Sequence, residues 1–582
     1  MRVRVPLMIQ DPEISKLSVG RLVEDWTMLD EDHYLNGPIT PRVAVVDLNP
    51  NTEKLERGAV YLPPSGKRKL GRYDVDKDRV TSTHFIQASV FATVYRTMYM
   101  YEQKDTLGRK IAWAFNGPQL LVVPRAGWMA NAYYERRSRS LQFFSFMANG
   151  RVVHTSLSRD IVAHETAHAL IDGIDPDLYD ALDPQSLALH EGIADLTAML
   201  MAFSSRRLRE AILDKTGGSI EESTDFSSIG EQFGKALDPT GKAGWLRNLL
   251  NDEVLDPDGD PADEPEEHEL SEVISGVLYR FMCVLHAHFR QRLARRQRAP
   301  EFSMSGLALH IAAEQFKRMV LRGLDYLPPG EVTFADLGRA ILAADQASFD
   351  DDTWRVWLRE NFVQRGIVKK ESDLDVTTNV ENEAVRNVDL QGLVDSPWVA
   401  YTFAEANRAL LGIPADAQFE VLPRVVVDGR FELPGEAMDK AAAVGGGAAP
   451  DDGAEDDADK DGNGIPVREL LFKIRWSQVE PNPPDLGGTN TRRVQTGTTL
   501  VIDWNAKRIR SLLRPLDFAG RRRARDTMLR RLIESGAVEV TEPDPKAKGK
   551  APVTGIDAVV TDGMLRVRNT GRLLHIVKEI DE

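Results

Sequence analysis

The sequence predicts an α+β protein in which strands come first, helices dominate the middle and strands return near the C-terminus. Three patterns predict it. Between residues 111 and 154, apolar residues alternate in AFNGPQLLVV and LQFFSF, the period of half-buried antiparallel strands. From 186 to 368 they recur at helical spacing, the longest run being SEVISGVLYRFMCVLHAHFRQRLARR from Ser271. Beyond residue 467, LLFKIRWSQVE, TTLVIDW, GIDAVV and GMLRVR read as strands again, giving a β-rich C-terminal domain.

Taken in order, RVAVVDL at Arg42–Leu48 and GAVYLPP at Gly58–Pro64 read as strands parted by the Asn49-Pro50-Asn51 turn. THFIQASVFATVYRTMYMYEQ, from Thr83, is a helix extending to about residue 106. RDIVAHETAHALIDG, Arg159–Gly173, is a second helix, with Ser158 as its start, Asp160 in its first turn and Gly173 as its stop. Asp183-Pro184 opens a third, running from about Ser186 to Phe203. FADLGRAILAAD and Trp354–Val368 close the helical part. Residues 441–466, rich in Gly, Ala and Asp, cannot bury enough apolar surface to order themselves and read as a flexible acidic linker. The C-terminal domain holds one helix, about Gly520–Ser535, whose GRRRARDTMLRRL start suits a solvated face or contact with the acidic linker, a grip on a phosphate or an acidic partner being the functional alternative. The divisions are therefore 1–155, a β-containing lobe with an N-terminal extension; 156–370, a helical lobe; 371–440, a connection; 441–466, the linker; and 467–582, the C-terminal domain.

A chain of 582 residues exceeds one core, and 42% hydrophobic with 28% charged residues is ordinary for a globular protein. The net charge of −16 disfavours nucleic acid as the main partner. One cysteine, Cys283, rules out an intrachain disulfide. The start, MRVRVPLMIQDPEISK, is unlike a secretion signal, and no run reaches the roughly 20 apolar residues of a membrane span. A cytoplasmic protein without a membrane partner is expected.

The chemistry concentrates in two helices. His164 and His168, four apart, stack on one helical face, where two imidazoles can hold one zinc ion. Glu165 adjoins the first of them, in the position of a general base toward water. Glu191 and Asp195 share a face of the next helix, offering a third ligand and an acceptor for the free N–H of a ligand histidine. The bland reading is a satisfied core histidine, but that explains one such residue. It does not explain His, Glu and His together among Ile161, Val162, Ala163, Ala167, Leu170 and Ile171, because buried polar groups are costly unless partnered. Three protein ligands leave a position open, the catalytic rather than structural pattern.

Further segments surround this pair: Asn131-Ala132-Tyr133-Tyr134, Tyr179 eleven residues past His168, Trp245-Leu246-Arg247, the spaced pair Asp263 and His268, and Tyr279. With HExxH and the downstream Glu, the stretch from about Thr83 to Lys370 resembles the thermolysin-like zinc metallopeptidases, a two-lobe fold with a mixed-sheet lobe and a helical lobe. The resemblance implies one Zn²⁺ per chain on His164, His168 and Glu191, with Glu165 as general base and a peptide or protein as substrate. It implies that Asn131 and Ala132 hold the substrate backbone by strand addition, and that Arg247 grips a substrate carbonyl. Tyr179 and His268 would stabilise the oxyanion, Asp263 orienting His268. The chain departs from the family at His190, where an Asn is usual, and at HELSE, which keeps only the His and the Ser of the usual segment. Calcium is the functional alternative for the acidic loop from Asp256 and for Asp457, Asp459 and Asp461, but neither spacing supports it; the twelfth position of the latter loop is Arg468. Two further readings stand beside a general endopeptidase: a catalytically silent binding protein on the same fold, and a regulated protease directed to one partner by the C-terminal domain.

Overall fold

The computed structural model describes residues 2–12, 15, 20, 22–28, 33–148, 150–222, 224, 226–229, 247–256, 267–349, 352–431, 465–481, 491–516, 520–534, 556–561 and 564–569. The protein is α+β.

The N-terminal lobe holds two four-stranded sheets. β1 (Val3–Met8), β2 (Val23–Met28), β4 (Tyr61–Leu62) and β5 (Gly71–Tyr73) form the first, in the order β2-β1-β5-β4. β3 (Val43–Val45), β6 (Leu120–Val123), β7 (Ala132–Glu135) and β8 (Ser140–Phe143) form the second, in the order β3-β6-β8-β7. β7 is thus an edge strand, antiparallel to β8 with Tyr134 opposite Leu141. A hairpin of β9 (Ser145–Ala148) and β10 (Arg151–His154) leads into the helical lobe. The strands predicted at 42–48 and 58–64 are present but shorter, as β3 and β4.

The longer helices up to residue 364 are α1 (Thr83–Glu102), α2 (Arg159–Ile174), α3 (Pro184–Phe203), α4 (Glu267–Gln297), α5 (Glu301–Tyr326), α6 (Phe334–Gln346) and α7 (Thr353–Gln364). α2 does not stop at Gly173. It runs one residue further to an Asp175 cap, and Gly173 serves packing instead: a Cβ there would lie 2.2 Å from the Ala112 carbonyl oxygen. Ser158 stands at the N-cap but makes no capping bond; its hydroxyl goes to Asp11 at 3.0 Å and to Asp160. α3 begins at Pro184 with Asp183 as its cap, and it is buried along its whole length except at Gln185. It packs between α2 and α4. Gly192 permits that approach, since a Cβ would meet the Ile274 side chain of α4 at 2.6 Å. α4 starts four residues earlier than Ser271, so His268 lies in its first turn rather than on an acidic loop. Contrary to expectation, one segment, His268–Gln297 of α4, is long and apolar enough to cross a membrane by length and composition. Its most apolar window is 78% buried inside the protein, where it faces α3 and α5 as a core helix.

The C-terminal sheet comprises β11 (Thr378–Val380), β12 (Phe419–Val421), β13 (Val425–Phe431), β14 (Ile465–Pro481), β15 (Thr491–Asp503), β16 (Ile509–Leu513), β17 (Ile556–Thr561) and β18 (Met564–Asn569). Its order is β11-β16-β15-β14-β12, with β13 also on β14 and the β17–β18 hairpin joined through β18 to β15. Residues 378–431, in the stretch read as a connection, supply three of these strands. Of the linker, 441–464 lies outside the described residues, while Ile465 and Pro466 already belong to β14. α8 (Arg521–Glu534) matches the predicted C-terminal helix. The sheet is joined to the helical lobe. Val427, Leu471, Val501 and Leu513 enter the central hydrophobic core. Arg322 of α5 pairs with Glu469 of β14 at 2.7 Å, both almost fully buried.

Candidate metal centre

α2 and α3 bring His164, His168 and Glu191 together, all buried, with ligand-type atoms within 4.8 Å of one another. The two Nε2 atoms of the histidines lie 3.0 Å apart. Glu191 offers Oε1 3.3 Å from His168 Nε2 and Oε2 3.5 Å from His164 Nε2. Two donors each about 2.0–2.1 Å from one tetrahedral centre lie about 3.3 Å apart, so these spacings fit a shared metal ion.

The other ring nitrogens decide the protonation. His164 Nδ1 lies 2.9 Å from Asp195 Oδ1, and His168 Nδ1 lies 2.6 Å from His190 Nδ1. Burial drives the His190 pKa down to about 3, so its ring is neutral near pH 7 and can accept a proton at Nδ1. With both ligand histidines donating from Nδ1, both Nε2 atoms turn lone pairs toward each other and toward Glu191. Burial raises a carboxyl, but without a metal, protons on His168, His164 and His268 outweigh it and hold Glu191 well below the usual carboxylate range. A metal ion among them would supply that positive charge with both Nε2 atoms bare. Converging lone pairs and a buried carboxylate repel unless a cation lies among them. The residues present therefore fit a divalent metal.

Glu165 is buried on the same helix, and its Oε2 accepts the Tyr134 N–H of the edge strand at 3.0 Å. That N–H points away from β8, so the outer edge of β7 faces α2. Asn131 precedes this strand, and its side-chain oxygen accepts the Ala132 N–H at 2.8 Å. Tyr179 is buried. Its hydroxyl accepts the Arg136 N–H at 3.4 Å, the Arg136 guanidinium covers its ring at 4.3 Å, and its ring meets His190 edge-on. Burial raises its pKa, so the phenol keeps its proton. His268 stands at the margin, with Nε2 3.9 Å from Glu191 Oε2 and 31% of its side chain exposed. Arg247 is placed by its backbone alone, in a two-residue strand against Ser228–Ile229. Asp263 lies outside the described residues.

Asp172, Arg136 and Asp180 were not among the residues singled out for the site, and His190 and Tyr134 were named without a partner. His190 orients His168. Beneath the centre, Asp172 accepts the Tyr134 hydroxyl at 2.7 Å and pairs with Arg136, which also reaches Asp180 at 2.6 Å. The signals for them were faint: Asp172 follows His168 by four residues, His190 immediately precedes Glu191, and Tyr134 and Arg136 flank the end of the Asn-Ala segment. His286 of α4 is a core histidine, with its Nε2 3.1 Å from the Ser305 carbonyl oxygen.

Comparison with known protein families finds no family model that matches the chain, and comparison with curated proteins finds no significant match.

Proposed function

We propose that the chain is a zinc-dependent endopeptidase with a thermolysin-like catalytic core. The observation that carries this reading is the convergence of the two Nε2 lone pairs on the Glu191 carboxylate, with Glu165 beside them and an edge strand alongside. His164, His168 and Glu191 would hold the ion, which when bound polarises a carbonyl and makes water acidic.

The chain's own residues account for the rest. An extended peptide would lie along the outer edge of β7 by way of its main-chain carbonyls. The Ala132, Tyr134 and Arg136 N–H groups of that edge are held by Asn131, Glu165 and Tyr179, so full strand addition requires those bonds to be exchanged for the substrate's. Asn131 sits at the start of that edge. Glu165, held in orientation by the Tyr134 N–H, takes the proton of the attacking water and returns it to the leaving amine. His268, at the margin, donates to the developing oxyanion, and Tyr179 is the second candidate donor. The Asp195 carboxylate and the His190 ring keep the ligand imidazoles in the tautomer that presents Nε2.

The test is metal analysis of the purified protein together with digestion of a peptide library, using Glu165→Ala as control. About one zinc per chain, and cleavage that Glu165→Ala abolishes, is the expected result. A protein that holds zinc but cleaves nothing would favour the binding-protein reading; absence of zinc would refute the metal centre.

A further inference from the structure

Five aspartates punctuate the joint between the two ligand helices: Asp172, Asp175, Asp177, Asp180 and Asp183. Each lies beside a cation from another part of the chain. From the N-terminal lobe, Arg136 bridges Asp172 and Asp180 and donates to the Pro176 carbonyl oxygen at 2.8 Å. The cations for the other three aspartates come from the C-terminal region. Lys473 and Arg475, two apart on β14, share one face of that strand. Arg475 pairs with Asp177; Lys473, on the same face, makes no hydrogen bond among the described residues, but its charge pulls against the burial that raises the Asp175 carboxyl. Arg521 and Arg525, four apart on α8, share a helix face and reach Asp183 Oδ2 at 3.1 and 3.9 Å.

Asp183 is the pivotal member. Its Oδ1 accepts the Gln185 N–H at 3.0 Å, capping α3, so one carboxylate ties the C-terminal helix to the first turn of the helix that carries Glu191. Arg525 adds a relay: it holds Glu331 Oε2 at 3.0 Å, while Glu331 Oε1 accepts the Leu182 and Asp183 N–H groups at 2.7 and 3.2 Å. α8 is in turn tied to the sheet, Arg525 pairing with Glu480, and Asp526 with Arg492 at 2.6 Å.

We propose that the C-terminal sheet and helix are a positioning element of the metal centre: through Arg475, Arg521 and Arg525 they hold the acidic joint between the ligand helices, and so set Glu191 and Tyr179 against His164 and His168. The proposal rests on the metal-centre reading and not on peptide hydrolysis. A pair of this kind is a weak source of net stability, because desolvation offsets its attraction, but it fixes register, since a displaced joint leaves buried charge uncompensated.

The test uses the full chain loaded with cobalt(II), whose visible absorption reports ligand geometry, and measures cobalt release to a chelator. Arg521→Gln and Arg475→Gln should each weaken cobalt binding by about tenfold, the lower end for groups that orient ligands, and should alter the absorption. Arg525→Lys should retain more affinity than Arg525→Met. Glu469→Gln breaks the buried pair with Arg322 away from the joint, and it should lower the melting temperature while leaving affinity within about twofold. If Arg525→Met does not fold, the partly exposed Arg475 carries the test. Joint variants that melt earlier but bind cobalt like the parent would overturn the proposal. So would a Glu469→Gln variant that loses as much affinity as they do. A parent protein that takes up no cobalt would refute the metal-centre reading itself, and this proposal with it.

Discussion

Replacing His190 by phenylalanine separates metal binding from folding. With a metal bound, His168 must present Nε2 bare, so its proton is confined to Nδ1, 2.6 Å from His190 Nδ1. Phenylalanine has no acceptor. The His168 N–H is then buried without a partner, a cost of about 1–3 kcal/mol. Without metal the cost is avoidable, because the proton can move to Nε2, where Glu191 Oε1 stands 3.3 Å away. His190 Nε2 is itself buried without a hydrogen-bond partner, so phenylalanine also removes an unsatisfied group. The metal-free variant should therefore unfold within about 1 kcal/mol of the parent. Its zinc affinity should fall by 10–100-fold, about 1.4–2.7 kcal/mol, the scale for a group that orients a ligand histidine. His190→Asn, which keeps an acceptor, should recover much of the loss. Chelator competition gives the affinities and urea unfolding of the metal-free protein gives the stabilities. Parental affinity in the phenylalanine variant would refute the assigned tautomers, and with them the converging lone pairs on which the metal fit rests.

Other outcomes follow from the same geometry. His168→Ala should lose the metal, checked by elemental analysis, whereas Glu165→Gln should keep it and lose turnover by about 10²–10⁴-fold in a peptide assay. His268→Ala should lower turnover by about 10²–10³-fold with zinc content unchanged; near-parental cleavage would assign the oxyanion to another donor. Gly192→Ala, forcing a Cβ against Ile274, should destabilise the fold by about 1–3 kcal/mol in urea and weaken metal binding by displacing Glu191. Burial lowers the His286 pKa to about 4, so its folded value lies below the unfolded one. The stability it contributes is complete above about pH 6.5 and is lost as pH falls toward 4, at up to about 1.4 kcal/mol per pH unit; His286→Gln should flatten that part of the urea-midpoint profile.

Local pattern alone determined a good deal of this protein. The α+β class, the helices carrying HExxH and Glu191, the C-terminal helix, and the placing of His164 with His168 and of Glu191 with Asp195 on one face of their own helices follow from periodicities of 2 and 3.6 and from the geometry of residues four apart, all short-range properties. That the two faces meet was an expectation from the motif and its resemblance. What the sequence could not determine was which distant groups meet. His190 reads as a departure from a usual Asn, its partner unspecified, until α2 and α3 pack and set its Nδ1 against His168. Gly173 reads as a helix stop, yet its lack of a side chain answers to the Ala112 carbonyl from another segment. The arginines of α8 read as a solvated face, and only the docking of the C-terminal sheet brings Arg521 and Arg525 onto Asp183. In each case the local chemistry permits several partners. The choice among them lies in contacts between residues tens to hundreds of positions apart, which exist only once the chain has folded.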